Sequence, residues 1–163
     1  MGLVTISQLR NDGAVDERPT GSDPEEPADV PVIDVLVVDG ANVVGSRPDG
    51  WWNDRAGAAA RLHARLLAVP GLAERIVLVL EGRARPGAPA TRSGLVEVTH
   101  APGEGDDAIV REARLAIDRG RAVAVVTADR ALAARIEGIG GRVLRPTWLL
   151  GRLDASDPDA RTP

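Results

Sequence analysis

Ile33-Asp34-Val35-Leu36-Val37-Val38-Asp39-Gly40-Ala41-Asn42 is the stretch on which the fold is read. Its apolar part is short, rich in Val and stopped by an Asp-Gly pair. A strand buried on both faces of a parallel sheet has this character. Four more runs of the same kind follow, at residues 75–80, 94–99, 122–127 and 141–144, and with 33–38 they predict five strands. Helical spacing fills the intervals. Residues 54–69 place Ala58, Leu62, Leu66 and Val69 on one face and stop at Pro70-Gly71, while 106–119 do the same with Ile109, Val110, Ala113 and Ile117 before Gly120. Shorter helices are expected at 129–137 and at 147–153, where Trp148 and Leu149 would pack on the sheet. Parallel neighbours need crossover helices, and right-handed crossovers place them on the sheet faces. The expected fold class is therefore α/β, a three-layer α/β/α sandwich around a mainly parallel five-stranded sheet. A flavodoxin-like order with the first strand central is expected.

Outside this core the composition changes. Residues 1–31 hold four prolines and seven acids against Arg10 and Arg18, and are expected to form a disordered acidic tail. Residues 154–163 form a second polar tail, with three acids against Arg161. The chain as a whole carries −4, yet residues 32–153 hold 17 Arg against 14 acids, a net charge of +3. The acidic pI thus conceals a mildly basic body that suits a polyanionic partner. Cysteine is absent, which removes disulfides, thiolate zinc sites and a cysteine nucleophile. All 20 basic residues are Arg. Without Lys, a P-loop and a protein-kinase site are excluded, although a codon bias toward Arg explains the missing Lys without invoking function. No apolar run approaches the ~20 residues that span a bilayer, and the N-terminus does not read as a signal peptide, so a cytoplasmic location is expected.

In a parallel sheet each strand ends, and each following helix starts, at the carboxyl edge, where ligands bind. Asp39 follows the first strand, Glu81 the second, Asp106 and Asp107 open the helix after the third, and Asp129 follows the fourth. Carboxylates from separate strand ends can share a hard divalent cation, and such cations activate water for attack on a phosphodiester. Taken singly, each Asp has a plainer explanation: Asp106 and Asp129 stand where helix N-caps stand, and Asp39-Gly40 suits a turn. Taken together they resist it, because a cap needs one acid and Asp106-Asp107 supplies two. The competing account has Arg111 and Arg114, one turn on, neutralising Asp107.

Val37-Val38-Asp39-Gly40-Ala41-Asn42-Val43 resembles the opening Asp-Gly-x-Asn motif of the NYN domains, a branch of the PIN-like nucleases. Gly105-Asp106-Asp107-Ala108-Ile109 and Val125-Val126-Thr127-Ala128-Asp129 resemble the second and third acidic motifs of that family, in the same order, so the likeness spans 32 to about 150. It implies a PIN-like fold and a metal-dependent endoribonuclease with Mg²⁺ or Mn²⁺ held by Asp39, Asp106 or Asp107, and Asp129. Asn42 would then orient a ligand or water, and Thr127 is similar to the hydroxyl residue found beside the last Asp. Trp51-Trp52-Asn53-Asp54-Arg55 departs from better-known members.

Several residues around that edge are candidates for holding RNA. Trp51 could stack on an unpaired base, although core anchoring is equally open to it. Arg47, Arg55, Arg83, Arg85 and Arg130 lie near strand ends, where they could hold phosphates. His63 and His100 are isolated and do not suggest zinc. The expected partner is single-stranded or structured RNA, with a second copy of the chain in a homodimer as a further candidate. The competing function is a non-catalytic RNA- or protein-binding module on the same fold. A small-molecule phosphatase of another α/β family lacks support, because Ala41 stands where a second Asp would be needed.

Overall fold

The computed structural model describes residues 32–156; the acidic tail expected at 1–31 and the last seven residues of the C-terminal tail lie outside the described residues. The strands are β1 (Val35–Asp39), β2 (Arg75–Leu80), β3 (Arg92–Ser93), β4 (Val96–His100), β5 (Val123–Val126) and β6 (Arg142–Leu144). The helices are α1 (Gly40–Gly45), α2 (Arg55–Ala68), α3 (Gly105–Ile117), α4 (Arg130–Gly138) and α5 (Pro146–Ala155), with a 3₁₀ turn at Gly82–Gly87. Among these described residues no helix is long and apolar enough to cross a membrane.

Alternation along the strands builds the three layers. Leu36 and Val38 of β1 point into one apolar cluster with Leu62, Leu66, Leu149 and Leu153, whereas Val35 and Val37 point into the other with Ile109, Ala113, Leu132 and Ile136. Helices α1, α2 and α5 therefore cover one face and α3 and α4 the opposite one. Because both faces are covered, β1, β5 and nearly all of β2 are buried throughout, which is why their sequences show no polar alternation.

The sheet order is β3-β4-β2-β1-β5-β6, with every pairing parallel except β3 with β4. The expected sandwich and parallel sheet stand, with two differences. First, the sheet has six strands, because the run at 94–99 is broken: Gly94 and Leu95 form a two-residue turn, and Arg92–Ser93 folds back on β4. Second, the order is not flavodoxin-like. Strand β1 is interior as expected, but β4 pairs with β2 instead of β1, which leaves the other side of β1 to β5. The burial of the two strands accounts for this. Strand β2 is apolar from Ile76 to Leu80 and fits the interior, whereas Val-Glu-Val-Thr-His in β4 alternates and fits farther out.

Helix α1 also has no counterpart in the sequence reading. Asp39-Gly40 is not a turn but the start of α1, with Asp39 as its N-cap. A Cβ at Gly40 would lie 2.7 Å from the Val79 carbonyl oxygen and 2.8 Å from Leu80. Only glycine lets this helix begin directly against β2. Helix α5 continues to Ala155, so Asp154 belongs to the folded body.

Candidate functional site

The chain leaves β1 for the face of α1 and α2, and leaves β5 for the face of α4. These neighbouring strands thus form the switch point at which an open α/β sheet presents a crevice. Asp39 stands at one lip and Thr127 and Asp129 at the other. Asp39 is only 6% exposed. One of its carboxylate oxygens accepts from the Asn42 amide at 3.1 Å, and the other accepts from the Thr127 hydroxyl at 2.9 Å. Thr127, 2% exposed, accepts in turn from the Asp129 amide at 3.1 Å. The Asn42 side-chain oxygen takes the Ala128 amide, also at 3.1 Å. Asn42 and Thr127 therefore stitch the start of α1 to the β5–α4 loop. Asp129 itself caps α4 through the Leu132 amide at 2.8 Å.

Glu81, at the end of β2, completes the acidic edge from the other side of β1. Its carboxylate accepts from the Gly105 amide, which fixes the start of α3 and with it Asp106. Burial raises the Asp39 carboxyl above its ordinary value against the hydrogen bonds from Asn42 and Thr127, and the Glu81 charge adds to the rise. Asp106 is raised as well, by burial first and then by Asp129, Asp39 and Glu81, with Arg135 opposing. Four acids from four strand ends thus act on one another. Asp107 does not join them. It is 83% exposed and pairs with Arg135 of α4 at 2.6 Å, not with Arg111 or Arg114. Adjacent helical residues point about 100° apart, so an Asp-Asp pair at a helix start cannot send both carboxylates the same way.

The donor set suits a hard divalent cation in kind, since every member is a carboxylate and their mutual repulsion is what a cation relieves. The spacing is looser than a closed cage: among the described residues no three His, Asp or Glu side chains form a group that could hold a metal ion as they stand. Asp39, Glu81 and Asp129 already serve the backbone or a hydroxyl, although a carboxylate oxygen has a second lone pair for another partner.

The other expected residues divide. Arg83 and Arg130 are exposed at the carboxyl edge, on the 3₁₀ turn and at the first position of α4. Arg55 lies over the Trp51 ring, 5.3 Å from its centroid, and both line a small hollow with Gly40, Ala41 and Glu81. Trp51 is half-buried and meets Trp52 edge to face, with centroids 6.2 Å apart; Trp52 is 53% exposed and carries the open indole surface. Arg85 is turned inward, donating to the Ala101 carbonyl, and so braces the β4–α3 loop instead of facing solvent. Arg47 is turned away from the acids toward Asp154. Of these, Glu81 was legible as an acid at a strand end, yet nothing local in the sequence shows that it holds Gly105.

Fold and site together define the class: an α/β/α sandwich on a mainly parallel sheet whose switch point carries an acidic edge. Comparison of the sequence with family models and with curated proteins returns no match. Among solved structures, the chain is similar to Rae1 (YacP) from Bacillus subtilis, at 20% identity and a TM-score of 0.61, over 76% of this chain and 75% of that one. A point variant of the same protein aligns at 20% identity with a TM-score of 0.57, covering 77% of its length. At such identity the likeness is one of fold.

Proposed function

We propose that the chain is a metal-dependent endoribonuclease of the NYN type, with Asp39, Asp106 and Asp129 as ligands of Mg²⁺ or Mn²⁺ and Glu81 as a fourth acid beside them. What supports this reading above all is the mutual electrostatic strain of the edge. Asp39 and Asp106 are both raised from their ordinary values, by burial first and then by the acids around them, with Arg135 opposing the rise at Asp106. A fold that needed these residues only as caps would gain nothing from crowding them. A divalent cation supplies Lewis acidity at a phosphoryl oxygen and lowers the pKa of water. The chain's own contribution is placement: Thr127 and Asn42 hold Asp39 and the β5–α4 loop in register, and Glu81 holds the start of α3. Arg83 and Arg130 lie where they can take phosphates on either side of the crevice. The backbone bonds made by Asp39, Glu81 and Asp129 favour the second reading, an RNA-binding module without catalysis.

Single-stranded RNA incubated with Mn²⁺ distinguishes the two. Cleavage is expected, with loss in EDTA and a fall of about 100-fold or more in Asp39→Asn and Asp129→Asn, the scale on which losing one fixed transition-state contact is felt. RNA that is bound but stays intact with every divalent metal selects the module.

A further inference from the structure

The α1–α2–α5 face carries a cavity of about 390 Å³ that has no part in the acidic edge. Arg47, Arg61 and Arg65 line it over an apolar floor of Val43, Leu62 and Leu150. Arg47 donates to one carboxylate oxygen of Asp154 at 2.5 Å and Arg65 donates to the other. Arg61 is exposed and reaches Asp54 only at 4.0 Å. With Asp49 and Asp154 as the acids of the lining, one positive charge is left over. Asp154 lies in the last turn of α5, where the helix dipole disfavours a negative charge, so the arginines and not the helix keep it there. Burial alone would raise its carboxyl, yet the Arg65 and Arg47 hydrogen bonds hold it below the ordinary range.

Two guanidinium groups on the two oxygens of one small anion is the pattern by which arginines grip a phosphate. The cavity also borders on the small hollow beside α1. Val44 lines both it and the hollow of Trp51, Arg55 and Glu81, so one strand lying past the indole reaches both places. We propose that the Arg47–Arg61–Arg65 cleft binds a backbone phosphate of the RNA strand whose neighbouring segment lies at the acidic edge, with Asp154 occupying that place until the strand displaces it. The inference rests on RNA being the substrate. In it, Arg61 and Arg65 become binding residues and Asp154 an internal competitor.

The test is equilibrium binding of a fluorescent single-stranded RNA of about 12 nucleotides in EDTA, so that no cleavage enters, repeated over a range of salt. Arg61→Ala is expected to weaken binding about 3- to 10-fold and to flatten the plot of log K against log salt by about 0.7, the value of one lost single-strand phosphate contact. Asp154→Asn is expected to tighten binding several-fold. Unchanged affinity and slope in Arg61→Ala overturn the cleft, as does an Asp154→Asn protein whose binding falls together with its melting temperature. Cytidine 5′-monophosphate binding that needs Arg61 while RNA binding does not assigns the cleft to a free nucleotide and also overturns it. Wild-type protein that neither binds nor cuts RNA removes the proposed function and this inference together. Wild-type protein that cuts RNA with an unaltered Arg61→Ala slope removes the cleft alone.

Discussion

Thr127 is the residue on which the two lips of the crevice meet. Its hydroxyl donates to Asp39 in a buried bond and accepts from the part-buried Asp129 amide. Thr127→Val keeps the shape and removes both, leaving a buried carboxylate oxygen and a backbone amide unsatisfied. The expected cost is about 1–3 kcal/mol of stability, read by urea unfolding, with RNA cleavage falling as the acids lose register. Thr127→Ser is expected to restore both. A Val variant as stable as the wild type would show that the hydroxyl bridge is not what aligns the acids. At this scale the sequence is a partial guide. It marks Thr127 as a hydroxyl beside an acid, but the bond to Asp39 joins residues 88 positions apart and has no local signature.

Among the elements, the 3₁₀ turn Gly82–Gly87 carries more than its place in a Pro- and Gly-rich loop suggests. It hangs from Glu81, contributes Arg85 to the β4–α3 loop, and lies against α2 at Gly87. A Cβ at Gly87 would fall 2.2 Å from the Ala56 carbonyl oxygen and 2.8 Å from the Ala59 Cβ. Helix backbone cannot yield there, so Gly87→Ala must push the turn off α2. A loss of about 1–3 kcal/mol is expected from this overpacking, measured by chemical denaturation. Gly138→Ala, whose added Cβ meets nothing within 4 Å, serves as the control and is expected to be neutral or slightly stabilising. The long helices and β2 were readable because period and apolar content coincide over six or more residues. Helix α1 was not, since six residues starting with glycine show no period and form only through the Asp39 cap and the support of β2.

For the molecule as a whole, the acidic edge makes stability depend on pH in a defined direction. Asp39 and Asp106 have folded-state values above their unfolded ones. Their contribution is therefore complete below the unfolded value, near about 4, and is lost as pH rises through the raised folded values. Without metal, ionising either acid therefore costs the folded state stability. Asp106→Asn is expected to raise the melting temperature in EDTA at pH 7 by about 1–3 °C, and the gain should vanish toward pH 4. Adding Mn²⁺ should stabilise wild type more than the variant. Thermal melts across pH, with and without Mn²⁺, read all three effects. An Asp106→Asn protein that melts below wild type at pH 7 in EDTA would show that the acid is a structural partner and not a strained one.

The sequence by itself determined the layers, the parallel sheet and the assignment of Asp39, Asp106 and Asp129 to one edge. Burial on both faces writes uninterrupted Val and Ile runs, and a parallel strand can only end where its helix begins. Tertiary structure alone decided the strand order, the bond of Glu81 to the Gly105 amide, the departure of Asp107 to Arg135 and of Arg47 to Asp154, and the choice of Trp52 over Trp51 as the open indole. Each of these depends on which distant element faces a side chain. Local periodicity fixes what a residue turns its back on, the core, but carries no information about the partner that meets it from another part of the chain.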